Sequence, residues 1–455
     1  MTRSARPDGE IAILGLGRSG SSAAKLLLAD GNRVYVSDAG TSPAVNDIAR
    51  QLGDLGASVD VGKHDLARIA RASSVVVSPG IDPAAPPIVA AREAGRRIVS
   101  EIEIALPYLS DSRLIAVTGT NGKTTTTALI GHILRGLGED AVDAGNIGTP
   151  LSDFARRDNR PDWIALEMSS FQLHDTPSLA PHIGVLTNLS PDHLDRYATE
   201  KEYYADKQLL FANATDASRW ILNADDSRVS QMTFGTTGKK HYFSLAQKSD
   251  ASFDAESDSL QLHGSALMPR DDLNLLGDHN VANALAAALA VTVASEKFKT
   301  PESRAQIADA LRSFSALAHR LEIVGEKNGV QWINDSKATN VSSAMVAIAG
   351  MRRPTVLLLG GRHKGEPYTS LADAIRKSVK KIIAYGESAG EIEKDLDGVV
   401  PIEKLGDDFD EIIGRARASA VSGDVVLMSP ACSSFDMFRN YEERGARFRH
   451  LAMAE

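Results

Sequence analysis

The chain has 455 residues and a single cysteine, Cys432. One thiol forms no internal disulfide and no cysteine-rich metal site. A small buried residue is the ordinary reading of such a cysteine, ahead of a nucleophile. Excess positive charge is also missing. The net charge is −9, so no broad basic surface argues for nucleic acid or for a membrane. Local lysines can still receive an anionic substrate. Long apolar runs are absent. The longest, Val281 to Ala294, is broken by Asn283 and falls short of the ~20 apolar residues that a membrane span needs. Residues 1–10 are polar and lack the apolar core of a signal peptide. A cytoplasmic protein without membrane insertion is expected. Low-complexity segments and short-period repeats are absent as well.

What remains is ordinary soluble composition, with 43% hydrophobic and 24% charged residues. The length suits roughly three domains. Short β-like runs alternate with helical patterns almost throughout, which predicts an α/β fold with parallel sheets covered on both faces. The expected architecture is a Rossmann-like N-terminal domain over 1–112, a P-loop-type central ATPase domain over 113–317 and a Rossmann-like C-terminal domain over 318–455. Residues 240–275 are polar with short alternating pieces, and predict a small antiparallel side sheet in the central domain.

The run Leu114-Ile-Ala-Val-Thr-Gly-Thr-Asn-Gly-Lys-Thr-Thr-Thr-Thr127 carries the strongest chemistry. An apolar strand enters a turn holding Gly119, Thr120, Asn121 and Gly122, and a helix follows from Lys123. Backbone N–H groups and the helix N-terminus converge on an anion there, and Lys123 reaches its outer phosphates. Thr124 or Thr125 can place a hydroxyl on Mg²⁺. The usual motif has a glycine where Val117 stands, so the loop is a shortened one.

A second glycine loop, Gly15-Leu16-Gly17-Arg18-Ser19-Gly20, lies between the first strand and the first helix. Asp38 ends the next strand, where an acid commonly meets a ribose. NAD is the obvious ligand, but the same backbone fits another diphosphate such as UDP. Ser78 and Gly80 end a later strand and fall on the same carboxyl edge. In the middle third, Asn146, Glu167 with the following Ser169, and His193 each lie just past a strand. Glu167 is the best candidate to hold Mg²⁺ beside substrate phosphates. His193 could bind a second Mg²⁺ or orient a substrate carboxylate. Lys207 reads as a solvated helix lysine. Asn280 and Asn283 share one helix face, where amides could read a purine ring or cap the helix. In the last third, Asn334 to Asn340, Gly360 to Gly365 and Ser429 to Asp436 each end a strand. Together they argue for a substrate site on that edge.

These residues resemble the ATP-dependent Mur ligases of peptidoglycan synthesis along essentially the whole chain. The most specific signals are Thr118-Gly-Thr-Asn-Gly-Lys-Thr-Thr, Glu167-Met-Ser-Ser-Phe-Gln-Leu, Asp192-His-Leu-Asp-Arg, Asn334-Asp-Ser-Lys-Ala-Thr-Asn and Ser429-Pro-Ala-Cys-Ser-Ser-Phe-Asp. The last two look particular to the members that add D-glutamate. The resemblance implies amide ligation of D-glutamate to UDP-N-acetylmuramoyl-L-alanine by a monomer, with ATP and two Mg²⁺ ions. It implies that Gly15, Leu16, Gly17, Arg18, Ser19, Asp38, Ser78, Gly80, Asn146 and Ser169 hold the UDP-sugar. Residues 119–125 with Asn283, Arg320, Asp335 and Lys337 would hold ATP. Thr124, Glu167, His193 and Lys207 would hold metal, Lys207 as a carbamylated lysine, with Lys123, His193 and Lys207 catalytic. Thr339, Lys364, Ser434 and Tyr441 would hold D-glutamate. Tyr441 stands where the family often has Phe, and His363 precedes Lys364 where an acid is common.

Overall fold

The computed structural model describes residues 9–192 and 196–454. The chain forms two compact units: Met1–Pro269 with Asn283–Leu311, and Arg270–Ala282 with Arg312–Glu455.

The first unit opens with strands β1 (Glu10–Leu14), β2 (Arg33–Asp38), β3 (Ser58–Val61), β4 (Ser74–Val77) and β5 (Arg97–Ser100). They pair in parallel in the order β3-β2-β1-β4-β5. Ile11-Ala-Ile-Leu14 and Val75-Val-Val77 are continuous apolar runs, as strands covered on both faces require. All seven side chains are buried. The chain direction across the sheet reverses at β1. Ligands of open parallel sheets bind beyond the carboxyl ends of the strands at such a point. The loops after β1 and β4 border it.

A nine-stranded sheet follows, from β6 (Arg113–Thr118), β7 (Ala141–Gly145), β8 (Trp163–Glu167), β9 (Ile183–Leu186), β10 (Arg219–Asn223), β11 (Lys239–Ser244), β12 (Ala251–Asp254), β13 (Ser259–Leu262) and β14 (Ser265–Pro269). Its order is β14-β13-β12-β11-β10-β9-β6-β8-β7. The expected antiparallel pieces are β12, β13 and β14. They extend the edge of the parallel sheet, because Phe243–Ser244 of β11 continues its ladder onto Ala251–Ser252. β6 lies between β8 and β9, so the turns after these three strands are neighbours. Helix Asp278–Ala294 is apolar on nearly every side. Leu285, Leu289 and Val291 are fully buried, each contributing about 1.5–3 kcal/mol.

The second unit holds β15 (Glu322–Lys327), β16 (Val330–Asn334), β17 (Thr355–Gly360), β18 (Val379–Tyr385), β19 (Ile402–Lys404) and β20 (Val425–Met428), in the order β15-β16-β20-β17-β18-β19. β15 pairs antiparallel with β16, and the other strands pair in parallel. The three motif loops follow β16, β20 and β17, which are adjacent strands. No helix among the described residues is long and apolar enough to cross a membrane.

Candidate active site

Local conformation sets the phosphate loop. Gly119 has φ +143° and Gly122 φ +82°. A Cβ on Gly119 would stand 2.0 Å from Thr187 Oγ1, and one on Gly122 would stand 2.3 Å from Asn283 Oδ1. Both positions therefore need glycine on grounds of conformation and of space. Helix Lys123–Gly136 starts at Gly122 without a side-chain cap, so its first N–H groups remain directed at the turn. The turn is pinned from the β9 side. Asn121 N donates to Asn188 Oδ1 at 2.9 Å, and Thr187 Oγ1 donates to the Asn121 carbonyl at 2.6 Å. Thr120 Oγ1 donates to the Ser190 carbonyl at 3.0 Å and accepts from Tyr203 OH at 3.2 Å. Thr126 Oγ1 donates to Asn283 Oδ1 at 3.2 Å. The structure thus puts Asn283 directly under the loop. Thr124 and Thr125 lie in the first helical turn and are half-buried.

Two lysine amino groups converge on one carbonyl. Lys123 Nζ donates to the Gly119 carbonyl at 3.0 Å and to that of Thr120 at 2.8 Å. Lys207 Nζ donates to the same Gly119 carbonyl at 2.7 Å. Lys207 is 1% exposed, so it is not the solvated lysine its sequence context suggests. Its amine lies 4.6 Å from the centroid of the Tyr203 ring. Burial, then repulsion from Lys123, hold its pKa well below the usual lysine range. An amine held towards neutrality is a nucleophile.

Glu167 ends β8 and is 1% exposed. Its Oε1 accepts from Asn146 Nδ2 at 2.9 Å. Its Oε2 is buried and has no hydrogen-bond partner among the described residues. A buried carboxylate oxygen left over at a phosphate loop has the chemistry of a hard-cation ligand. No cluster of three or more His, Cys, Asp or Glu with metal-site geometry occurs among the described residues. His193 lies outside them. Ser169 caps the next helix and forms a reciprocal capping box with Gln172, which fixes the turn after Glu167.

Around the first glycine loop, Gly15 has φ +96°, and a Cβ there would stand 2.7 Å from Ser78 Oγ. Asp38 is already engaged. Its Oδ2 accepts from Leu16 N at 2.6 Å and its Oδ1 from Gly40 N at 2.7 Å. It therefore shapes the loop. Gly15, Asp38, His64 and Ile81 border a cavity of about 460 Å³. Ser78 Oγ is buried without a hydrogen-bond partner among the described residues. Gly17, Arg18 and Gly80 are exposed and Ser19 is half-buried. Arg18 Nη1 donates to the Gly148 carbonyl at 3.2 Å, so the loop touches the exposed segment that carries Asn146.

Sequence reading missed two residues here. Arg196 donates to the Ile81 carbonyl at 2.6 Å and to that of Pro79 at 3.2 Å. Glu101 is buried at a helix start, accepts from Ser152 N, and is pushed up to about 7 by burial. The signal for Arg196 was its place at the end of the Asp192-His-Leu-Asp-Arg motif. For Glu101 no local signal existed.

In the second unit, Asp335 Oδ2 accepts from Ser429 Oγ at 2.8 Å and Oδ1 from Leu321 N at 3.1 Å. Burial pushes its carboxyl up to about 7. Arg320, next to Leu321, is half-buried. Lys337 Nζ donates to Tyr441 OH at 2.7 Å and lies 4.1 Å from its ring centroid. The structure so joins a residue expected at ATP with one expected at D-glutamate. Thr339 is half-buried, Lys364 exposed and Ser434 buried. Arg444, unremarked in the sequence, is fully buried and ties the motif loops together. Its Nη2 donates to the carbonyls of Ser336 at 2.8 Å and Cys432 at 3.1 Å. Cys432 is buried and its thiol is raised by burial, so it is no thiolate.

Comparison with known proteins matches three regions of the chain. Family models match residues 9–100 (Mur ligase MurD-like, N-terminal domain), 117–291 (Mur ligase middle domain) and 319–432 (Mur ligase, glutamate ligase domain). The UDP-N-acetylmuramoylalanine--D-glutamate ligase of Acidobacterium capsulatum is 38% identical over 454 residues, covering 98% of this chain and 96% of that one. That of Salinibacter ruber is 38% identical over 461 residues, covering 96% of each. The solved structure of the UDP-N-acetylmuramate-alanine ligase MurC of Thermotoga maritima has the same fold, with a TM-score of 0.63 at 19% identity over 98% of this chain and 100% of that one. With relatives of this identity along nearly its full length, the chain belongs to the Mur ligase family.

Proposed function

We propose that the protein is an ATP-dependent ligase that joins D-glutamate to UDP-N-acetylmuramoyl-L-alanine, a cytoplasmic step of peptidoglycan precursor synthesis carried out by a monomer. The observation that carries this reading is the meeting of Lys123 and Lys207 on the Gly119 carbonyl, at the sheet edge where Glu167 has a buried oxygen without a hydrogen-bond partner among the described residues. The curated relatives support the choice of substrates.

In this reading residues 1–112 receive the UDP-sugar, 113–317 the phosphates of ATP, and 318–455 the amino acid. The glycine loop after β1, Ser78, Gly80, Asn146 and Ser169 contact the nucleotide sugar. Asp38 acts by holding Leu16 N. Asn283, Arg320, Asp335 and Lys337 contact ATP, and Thr339, Lys364, Ser434 and Tyr441 contact D-glutamate. A carboxylate oxygen of the alanyl end attacks the γ-phosphorus of ATP and ADP leaves. The D-glutamate nitrogen then attacks the acyl carbon. Phosphate departs with one former carboxylate oxygen. The D-glutamate ammonium gives up two protons in all, one to become the attacking amine and one after attack, keeping the third as the amide N–H. Lys123 exchanges its two loop carbonyls for phosphate oxygens and stabilises their charge.

Thr124 and Glu167 fit one Mg²⁺, since both offer hard oxygens and Glu167 Oε2 lacks another partner among the described residues. His193 and Lys207 are assigned to a second ion. When bound, Mg²⁺ supplies neutralisation of the phosphate charge. Lys207 suits that role as a carbamate. A buried amine held towards neutrality adds CO₂ and releases a proton, which turns a cation into an anionic oxygen donor.

The test is ADP release with Mg²⁺, UDP-N-acetylmuramoyl-L-alanine and one of D-glutamate, L-glutamate or no amino acid. Release with D-glutamate alone is expected. Preference for a different amino acid would support the rival reading, another Mur-type or folylpolyglutamate-type ligase. No release with any of them would end both.

A further inference from the structure

Arg196 occupies a position that its place in a motif does not explain. Its guanidinium accounts for the Ile81 and Pro79 carbonyls, at 2.6 and 3.2 Å, on the loop after β4. That loop cannot shift alone, because Ser78 packs against Gly15 of the first glycine loop and Ile81 lines the adjacent cavity. The same guanidinium lies 4.0 Å from the centroid of the Phe171 ring. Phe171 belongs to the segment that starts at Glu167. Its ring stacks on Tyr197, with centroids 5.3 Å apart and planes 8° from parallel.

From Tyr197 the contacts divide. Its hydroxyl donates to Asp206 Oδ2 at 2.9 Å, one residue from Lys207. Its ring meets the edge of Tyr203 at 5.4 Å. Tyr203 OH then donates to Thr120 of the phosphate loop at 3.2 Å, and its ring lies under Lys207 Nζ. A contiguous set of packed and hydrogen-bonded groups thus runs from the wall of one cavity to the phosphate loop. Every group in it lies in the first compact unit. An arginine suits the head of such a set, because one rigid fork serves two carbonyls while its flat face stacks on an aromatic ring. Lysine, a single point charge, does neither together.

We infer that Arg196 is a positioning residue that couples occupancy of the cavity beside Gly15 and Ile81 to the geometry of the phosphate loop. The inference rests on the reading that a nucleotide sugar fills that cavity. Filling it fixes the Ser78–Ile81 loop, and Arg196 then holds Phe171, Tyr197 and Tyr203 in the arrangement that orders Thr120 and Lys207. A linkage measurement tests the coupling directly.

The experiment is calorimetric titration of the full chain with UDP-N-acetylmuramoyl-L-alanine, with and without a non-hydrolysable ATP analogue and Mg²⁺, and the reciprocal titration. In the wild type each ligand is expected to tighten the other by about fivefold or more. Arg196→Ala should bring that factor to within about twofold of unity, while the analogue alone binds as in the wild type. Arg196→Lys should fall between the two. Phe171→Leu, which removes the ring and leaves the guanidinium its carbonyls, should also weaken the coupling. It keeps the test open where Arg196→Ala melts early. A merely structural Arg196 would lower the binding of both ligands and leave their mutual factor intact, which would overturn the inference. Wild-type coupling that survives both Arg196→Lys and Phe171→Leu would overturn it too. A wild-type protein that binds no UDP-sugar would overturn the functional reading itself.

Discussion

Replacing Gly122 by alanine should damage the phosphate loop for two separable reasons. The residue has φ +82°, a left-handed conformation that costs an L-residue roughly 1–2 kcal/mol. The new Cβ would stand 2.3 Å from Asn283 Oδ1 and 3.2 Å from its Cγ. Asn283 is buried and accepts from Thr126 Oγ1, so its displacement breaks a bond worth about 1 kcal/mol. The sum is about 2–3 kcal/mol. At about 2–4 °C per kcal/mol for a domain of 150–250 residues, melting should fall by about 4–12 °C. ADP release should fall more steeply, since Asn283 leaves its place under the loop. Thermal scanning with an ADP-coupled assay measures both. The clash can be isolated with Asn283→Ala. In that background Gly122→Ala should cost only the backbone term, so the double variant is more stable than additivity predicts. Gly119→Ala should be worse than Gly122→Ala, because its Cβ also meets the Asn188 backbone at 3.1 and 3.2 Å, and backbone cannot swing aside. Additive costs in the double variant, or a Gly122→Ala protein of wild-type stability and turnover, would refute this reasoning.

Further outcomes follow from other contacts. Asn146→Ala removes the donor that orients Glu167 Oε1. The Mg²⁺ concentration for half-maximal ADP release should rise about 10–100-fold, as for other orienting partners of metal ligands. Lys207→Ala should be inactive and partly rescued by small carboxylates, read as ADP release with and without added formate or acetate. Tyr441→Phe removes the hydroxyl that accepts from Lys337 but keeps the ring beneath its ammonium. Its kcat/KM should drop no more than about tenfold, since one hydrogen bond is worth about 1 kcal/mol. Glu101 has its carboxyl raised from 4.5 to about 7 by burial. The folded state therefore binds its proton more tightly than the unfolded state. This contribution is full below about pH 4.5 and lost as pH rises through about 7. Glu101→Gln should remove that slope and raise stability at pH 8, seen as urea midpoints at pH 5.5 and 8.

Local signals were legible and distant ones were not. The glycine loops could be read because strand, turn and helix follow one another within a few residues, and each loop's conformation demands glycine. Glu167 and the three loops of the last sheet could be placed by the strand-end rule, which needs only the direction of the chain. The edge strands β15 and β19 escaped notice because Glu-Ile-Val-Gly-Glu-Lys and Ile-Glu-Lys are too polar or too short to stand out. Buried charges were hidden for a different reason. Lys207 sits on the polar-looking helix Glu200–Gln208, and its burial is imposed by Tyr203 and the phosphate loop, 88 residues from Gly119. Arg444 and Arg196 bond partners 108 to 117 residues away. Nothing in a local window distinguishes such an arginine from a solvated one.

The central claim is that the γ-phosphoryl group of ATP passes to a carboxylate before the amide forms. UDP-N-acetylmuramoyl-L-alanine labelled with oxygen-18 in its alanyl carboxylate tests this in one turnover with ATP, Mg²⁺ and D-glutamate. One labelled oxygen should appear in each released phosphate, detected by its phosphorus resonance shift. Phosphate released without label would mean that water or another group receives the phosphoryl, and would contradict the account.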